Sequence, residues 1–348
     1  MIECGVFKRT YEEDMAFRHT ALARWRIYLL LLAVVVFPFV ASEYYVGIAN
    51  LIGIAIIGAL GLNILTGFTG QISVGQGAFL GVGAYTSAIL ATRIGLPFWL
   101  ALPGAGLVTA LVGSVFGIPS LRLKGLYLVI ATLAGQVIIE WTIGHWVDLT
   151  GGSQGMTNIP SPAIGPLTFA SRTSYYYLTY AIVLAATVFA SNLFRSKVGR
   201  AFVAVRDRDI AAEAMGVHLF RYKILAFAVS SFYVGVAGSL WAHYLNMISP
   251  EHFTVGVSIE YLAMIIIGGL GTVSGSIFGA IFMTLLPVIL RELTGPLSAV
   301  LPITQVFNAL REGIFGIVII VFLIYEPHGL AKIWRNIKDY FRLWPFSY

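Results

Sequence analysis

Long apolar segments alternate with short polar ones along almost the whole chain. A helix needs roughly 17 to 25 apolar residues to cross about 30 Å of hydrocarbon. We predict about ten such spans, at residues 27–42, 46–66, 76–92, 97–117, 125–144, 174–194, 224–245, 257–270, 275–292 and 306–325. The eighth is short, and the glycines that follow it, Gly268, Gly269 and Gly271, also fit a re-entrant hairpin. The predicted fold class is all-α, a polytopic membrane protein.

Composition supports this class. Of the 348 residues, 58% are hydrophobic and only 11% are charged, which is too few to cover a water-soluble surface. The single cysteine, Cys4, excludes an intrachain disulfide. The first 26 residues are long and charged for a secretory signal, so a retained anchor is favoured over cleavage near Ala41 and Ser42.

The basic residues predict the orientation. With the amino terminus in the cytoplasm, only four of the 22 Lys and Arg residues fall outside, namely Arg93, Arg172, Arg291 and Arg311. The chain then divides into a cytoplasmic segment (1–26), a transmembrane domain (27–325) with a cytoplasmic loop at 195–223, and a cytoplasmic tail (326–348). The net charge of +6 follows from this topology and from contact with anionic lipid, and gives no reason to expect nucleic acid.

Five predicted spans precede the long outer loop at 146–173 and five follow it, so the two halves run in opposite directions. This arrangement permits an inverted repeat of five plus five. Two Gly-rich interruptions support it, GQISVGQGAFLG at 70–81 and GLGTVSGSIFGA at 269–280. The alternative is that glycine is simply frequent where membrane helices pack closely.

The sequence lacks the phosphate-loop motif GxxxxGK[ST] and the zinc motif HExxH. Its six histidines lack metal-ligand spacing, so we predict neither catalytic nor metal-binding residues. Acidic and basic residues within spans lie near their predicted outer ends. The polar residues predicted deeper are uncharged: Asn63, Thr66, Gln71, Ser73, Gln76 and Gln136. The lack of a mid-bilayer carboxylate argues against an ion-coupled transporter.

A Gly-rich segment at 67–83, GFTGQISVGQGAFLGVG, predicts a broken helix that lines a solute path. Its alternative interpretation is a close-packing seam between helices. The candidate path residues are Gly70, Gln71, Ser73, Gln76 and Gly77.

The outer loop contains LTGGSQGMTNIP at 149–160. Backbone amides at its glycines could converge on an anion, or the segment could be a simple connecting turn. The candidate residues are Gly151, Gly152, Ser153, Gln154 and Gly155.

The charged segment at 198–223 is typical of a cytoplasmic insert that contacts a soluble partner. Asp207 or Asp209 could cap a helix of about two turns, and Gly216 could end it in a left-handed conformation.

Taken together, these segments resemble the permease family of branched-chain amino acid ABC importers, and the LivM type more than the LivH type. The similarity covers roughly residues 46–330. It rests on GFTGQISVGQGAFLGVGAYTSAI at 67–89, LTGGSQGM at 149–156, VGRAFVAVRDRDIAAEAMGV at 198–217, RYKILAF at 221–227, GGLGTVSGSIFGA at 268–280 and YEPHGL at 325–330.

The resemblance implies a bacterial inner-membrane permease that works with a second permease, two ABC ATPase subunits and an extracytoplasmic binding protein. It implies that this chain binds no cofactor, since the ATP is used by partner subunits. The implied ATPase-coupling residues are Arg206, Asp207, Arg208, Asp209, Ala211, Ala212, Glu213 and Gly216.

Two positions depart from the family pattern. Gln154 replaces an acidic residue in the outer loop, and Ile210 stands where the coupling loop usually has glutamate. The expected cargo is a branched-chain or related apolar amino acid. The alternatives are urea, short amides, aromatic acids or nucleosides with the same architecture, or an ion-coupled secondary transporter.

Overall fold

A computed structural model describes residues 21–164, 167–294, 307–326 and 329–343. We number its twelve longer helices in chain order. They are α1 (Ala21–Val40), α2 (Glu43–Leu62), α3 (Gln76–Thr92), α4 (Phe98–Gly117), α5 (Leu126–His145), α6 (Arg172–Arg195), α7 (Lys197–Ala214), α8 (Leu219–Leu245), α9 (Val255–Gly268), α10 (Val273–Thr294), α11 (Phe307–Tyr325) and α12 (Leu330–Leu343). One short antiparallel pair, β1 (Ala163–Ile164) and β2 (Leu167–Thr168), lies before α6.

The all-α membrane fold is confirmed, and each predicted span corresponds to a helix. Seven helical segments of the described chain are long and apolar enough to cross a membrane. They are Glu43–Phe68, Phe98–Leu121, Leu126–His145, Arg172–Arg195, Leu219–Leu245, Pro250–Gly268 and Val273–Glu292. The predicted total of ten and the inverted repeat stay predictions. So does the cytoplasmic segment at 1–26, of which residues 1–20 lie outside the described residues.

Helix α8 lies at the centre of the bundle and packs against α2, α3 and α4. Glycine allows this packing, because a Cβ atom at Gly83 would lie 2.4 Å from the Cα of Gly235. A Cβ at Gly238 would lie 2.2 Å from the carbonyl oxygen of Leu80. Both contacts are with backbone, so α3 and α8 can cross this closely only without side chains at these positions. The carboxyl-terminal part of the Gly-rich segment is therefore a packing seam.

The amino-terminal part of the same segment is a break. Helix α2 continues as a π-helical segment, Asn63–Phe68, and residues 70–75 then leave helical geometry before α3 begins. Gly70 has φ +69°, a left-handed conformation that glycine adopts without strain. The two interpretations of this segment thus apply to different parts of it.

Helix α9 follows a short 3-10 turn, Pro250–Phe253, and a turn at 269–272 leads into α10, on which α9 packs. The segment Pro250–Gly268 is among the candidate spans, which agrees with the predicted eighth span by length and composition. The rival hairpin interpretation stays a prediction.

The charged insert is more helical than predicted. Ser196 caps α7, since its side chain accepts from the backbone N–H groups of Val198 and Gly199. The helix is bent at Arg208, whose φ of −156° and ψ of 95° are not helical, and the part after the bend has the predicted length of about two turns. Gly216 is left-handed as predicted, with φ +89°.

Helix α12 makes the predicted tail helical over Leu330–Leu343. Ile333, Trp334, Ile337 and Tyr340 are exposed on it, and basic residues including Arg335 are interspersed. This combination is typical of a helix that lies at a membrane surface.

Candidate functional site

The break at 70–75 runs through the protein interior. Ser73 is fully buried and Gln71 is 5% exposed. The backbone N–H of Val74 donates to Thr132 Oγ1 of α5 at 3.0 Å, and the backbone N–H of Gln71 donates to Leu65 O at 3.2 Å. A side chain of α5 and the end of α2 thus satisfy two of the backbone N–H groups that a continuous helix would have bonded.

Helix α3 begins at the level of Gly58, because Gln76 Nε2 donates to the Gly58 carbonyl oxygen at 3.0 Å. Gly58 lies ten residues before Phe68, the end of the π-helical segment, so the chain returns about 15 Å along α2 before α3 starts. This start deep beside α2 is the geometry of a discontinuous membrane helix.

The first amides of α3 are held by side chains from two other helices. Gly77 N donates to Ser258 Oγ of α9 at 2.7 Å, and Ala78 N donates to Gln136 Oε1 of α5 at 2.6 Å. Gln136 Nε2 in turn donates to Phe253 O at 2.7 Å. These amides already have protein acceptors, so the amino terminus of α3 is a structural junction of three helices.

Gln71 differs from its neighbours in the break. Neither its Nε2 nor its Oε1 has a hydrogen-bond partner among the described residues, although both atoms are buried. An unpartnered buried amide is unfavourable unless a ligand or water satisfies it. Of the five candidate path residues, Gln71 is thus the one whose side chain is still available to a solute.

Asn63 joins the π-helical segment to the turn between α9 and α10. Its Nδ2 donates to Thr272 O and to Ser276 Oγ, each at 2.8 Å, and its Oδ1 accepts from Gly271 N at 2.9 Å. The π-helical segment that precedes the break is therefore in direct contact with the Gly-rich interruption at 269–280 through one buried amide.

Arg206 of α7, in the charged insert, also contacts the π-helical segment and lies beside the turn between α9 and α10. Its Nη1 donates to Gly67 O at 3.1 Å, and its Nε donates to Asp207 Oδ1 at 3.0 Å. A Cβ atom at Gly271 would lie 3.2 Å from Arg206 Nη1. Arg206 consequently links α7 to both interruptions.

The helical part of α7 beyond the bend presents apolar side chains to the surface. Ile210 is 77% exposed, and Met215, which follows the last residue of the helix, is 87% exposed, whereas Ala212 is buried against the protein. Ala211, Glu213 and Gly216 are also exposed. Exposed apolar side chains on an otherwise charged helix are typical of a binding surface.

Asp209 lies on the protein side of this helix between two lysines. Its Oδ2 is 2.5 Å from Lys124 Nζ and 3.8 Å from Lys223 Nζ. The hydrogen bond from Lys124 holds the pKa of the Asp209 carboxyl below its usual range, and partial burial opposes this effect. The expected helix cap is not formed: Asp207 binds Arg206, and the backbone N–H that donates to Asp209 among the described residues is that of its neighbour Ile210, not one further along the helix.

The outer loop uses its glycine amides internally. Gly151 N donates to Val147 O at 3.0 Å, Gly152 N to Thr150 Oγ1 at 3.3 Å, and Gly155 N to Gly152 O at 3.1 Å. This geometry favours the connecting-turn interpretation over an amide-lined anion site. Ser153 and Gln154 are exposed and stay available for contact with another molecule.

The sequence indicated Asn63 only as a deep polar residue. It did not indicate the helix cap at Ser196, the exposed side chain of Met215 or the buried side chain of Lys223. Ser196, which directly precedes α7, could have been recognised as a helix cap. The exposure of Met215 and the burial of Lys223 depend on how α7 and α8 pack, which no local pattern indicates.

Comparison with known proteins yields one family. The family described as the permease component of the branched-chain amino acid transport system matches residues 44–323. The high-affinity branched-chain amino acid transport system permease protein LivM of Salmonella typhimurium is 34% identical over 329 residues, covering 88% of this chain and 74% of that protein. LivM of Escherichia coli K12 has the same identity and coverage. The autoinducer 2 import system permease protein LsrC of Salmonella paratyphi B is 24% identical over 330 residues, covering 89% and 87%. No solved structure matches.

Proposed function

This chain belongs to the family of branched-chain amino acid transport permeases, and we propose that it is one of two membrane subunits of a bacterial ABC importer. Its cargo is a branched-chain or related apolar amino acid. It lies in the inner membrane with both termini in the cytoplasm, in accordance with the distribution of Lys and Arg. The chain itself makes and breaks no covalent bond.

The observation that carries this proposal is the position of α7. Its outer part, residues 209–214, presents Ile210 to a partner, while its inner part holds Gly67 through Arg206. A soluble ATPase docked on Ile210 would lie four residues from Arg206, across the bend at Arg208. This short connection would join the energy source to the path through contiguous contacts.

In this mechanism, closure of two ATPase subunits moves α7. Arg206 then transmits the movement to the break at 70–75 and to the turn at 269–272. The spans then exchange outward-facing and inward-facing arrangements. An extracytoplasmic binding protein delivers the amino acid to the outer face, where Ser153 and Gln154 are exposed. Gln71 offers its free amide to the solute along the path.

The docking surface is tested by replacing Ile210 and Met215 together with alanine. Burying one such side chain contributes about 1.5–3 kcal/mol, so the double variant should lower ATPase co-purification by tenfold or more. Leu111→Ala is the control, because Leu111 is similarly exposed on α4, away from α7. Undiminished co-purification of the double variant would show that α7 is not the docking site.

The transmission step is tested with Arg206→Gln. We expect this variant to assemble with the ATPases and hydrolyse ATP but to take up little labelled leucine, because the contact with Gly67 is lost. Arg208→Gln is the matched control, since Arg208 is exposed and lies at the bend itself. Equal uptake by the two variants would contradict a coupling role for Arg206.

A second candidate cargo has support from the relatives. The LsrC protein is named as an autoinducer 2 permease, so similar chains serve importers of different solutes. The same architecture could import urea, short amides, aromatic acids or nucleosides. Ligand affinities of the cognate binding protein would decide between these cargoes, and uptake without any ATPase would instead favour an ion-coupled transporter.

A further inference from the structure

A cavity of about 240 Å³ lies where the break, the start of α5 and the bend of α7 meet. Its walls include Gln71, Lys124, Lys223 and the residues at 205–209. At about 30 Å³ per water, this volume holds roughly eight waters, which is comparable to a small amino acid.

Lys223 brings an incompletely bonded charge to this cavity. Its side chain is 7% exposed. Its Nζ lies 3.5 Å from Ser120 O and 3.8 Å from Asp209 Oδ2. Charge-assisted hydrogen bonds are normally about 2.7–2.9 Å long, and an ammonium group has three donors. Neither distance is that short, so the ammonium group can still donate a closer hydrogen bond to a ligand.

The two acidic residues that line the cavity are paired with other cations. Asp209 is in close contact with Lys124, and Asp207 is bonded to Arg206. The lining also includes Arg208, so its cationic side chains outnumber its carboxylates by four to two. The cavity therefore has an excess of positive charge, which favours an anionic ligand.

Gln71 is an independent indication of a ligand. It lines the same cavity, it is 5% exposed, and neither polar atom of its side chain has a partner in the described parts of the chain. Leu128 and Val205 add apolar surface to the same wall. A buried ammonium group, an unpartnered amide and apolar side chains together match the carboxylate, the amino group and the side chain of an apolar amino acid.

We propose that this cavity is an amino-acid site open to the cytoplasmic side, in which Lys223 binds the carboxylate and Gln71 the remaining polar group. The proposal rests on the proposed function for its orientation and its ligand class. The wall at 205–209 contains the bend of α7, so the bound amino acid would contact the coupling helix directly. The permease would then sense the imported product on the release side.

The test measures binding of labelled L-leucine to the complete purified importer in nanodiscs, without its binding protein. We expect saturable binding. The carboxylate 4-methylpentanoate should compete with leucine, whereas leucinamide, which lacks the carboxylate, should not. Lys223→Met should weaken binding by about tenfold or more, which is the scale of one charge-assisted hydrogen bond.

Gln71→Leu should also weaken binding, and Arg221→Met should leave it unchanged, because Arg221 is an exposed cation in the same turn of α8 as Lys223. Co-purification with the ATPases shows that each variant is folded. The proposal is overturned by the absence of saturable binding, by equal binding in Lys223→Met, or by competition from leucinamide equal to that from leucine. If an acidic side chain of the ATPase fills the cavity instead, no saturable leucine binding is expected.

Leucine uptake by the same preparation with its binding protein separates this site from the proposed function. Uptake without leucine binding to the importer would overturn the cavity site alone. Carboxylate binding that depends on Lys223, without leucine uptake, would support the site and contradict the proposed cargo.

Discussion

The contact between the π-helical segment and the Gly-rich interruption at 269–280 depends on Asn63, and replacing this residue by leucine tests it. Leucine has nearly the same shape as asparagine but removes both the donor and the acceptor. Asn63 is 1% exposed and makes hydrogen bonds to Thr272 O, Ser276 Oγ and Gly271 N. The substitution leaves the Gly271 N–H, in particular, without its acceptor.

The magnitude follows from these three bonds. Hydrogen bonds between membrane helices contribute about 0.6 kcal/mol on average and up to about 1.7 kcal/mol. An unsatisfied buried group costs about 1–3 kcal/mol. We therefore expect Asn63→Leu to lower the free energy of unfolding by about 2–4 kcal/mol. At about 2 °C per kcal/mol, which is typical of larger domains, the melting temperature falls by roughly 4 °C or more.

Asn50→Leu is a matched control on the same helix. Asn50 is also fully buried, but its Nδ2 makes one hydrogen bond, to Arg172 O at 3.0 Å, and its Oδ1 has no partner among the described residues. Removing it loses one bond and relieves one unpartnered oxygen, so we expect a loss of about 1 kcal/mol or less. The assay is thermal unfolding of the purified chain in detergent. A loss in Asn63→Leu no larger than in Asn50→Leu would refute the reasoning.

Two further predictions concern the packing seam and the charged insert. Gly83→Ala should lower the free energy of unfolding by about 1–3 kcal/mol in the same assay, because the added Cβ meets the backbone of Gly235. Gly144→Ala is the control, since nothing lies within 4 Å of a Cβ there, and it should have little effect. Similar melting temperatures for the two variants would contradict the close packing of α3 on α8. The Lys124 hydrogen bond lowers the pKa of Asp209, so its contribution to stability should be complete above the ordinary Asp pKa of about 3.9 and lost as pH falls below it. Melting curves of the wild type and Asp209→Asn should therefore differ at pH 6 and converge in acid, and a difference independent of pH would contradict this assignment.

The helices themselves were predictable because hydrocarbon imposes a minimum apolar length on every span. The break at residues 70–75 was predictable for a related reason, since glycine and polar side chains interrupt an apolar run there. The left-handed Gly216 follows from the preference of helix ends for glycine. These features depend on residues close together in the sequence.

Other features depend on contacts between distant residues. The Arg206–Gly67 bond joins positions 139 residues apart, and Asn63 and Gly271 are separated by 208 residues. The π-helical segment at Asn63–Phe68 has no residue pattern of its own. The burial of Lys223 could not be predicted either, because it sits at the start of a span where a lysine would normally reach water.

Glycine has two opposite effects in this chain, and their positions indicate which parts can move. At Gly83 and Gly235 it allows α3 and α8 to pack backbone against backbone, and such contacts resist rotation because there are no side chains to rearrange. At Gly70 and Gly271 it allows the left-handed backbone of the two turns, where regular helical hydrogen bonding ends. Arg206 contacts the region of the turns and not the seam. We therefore expect a force on α7 to shift the ends of α2 and α9 while the α3–α8 crossing stays fixed as the pivot.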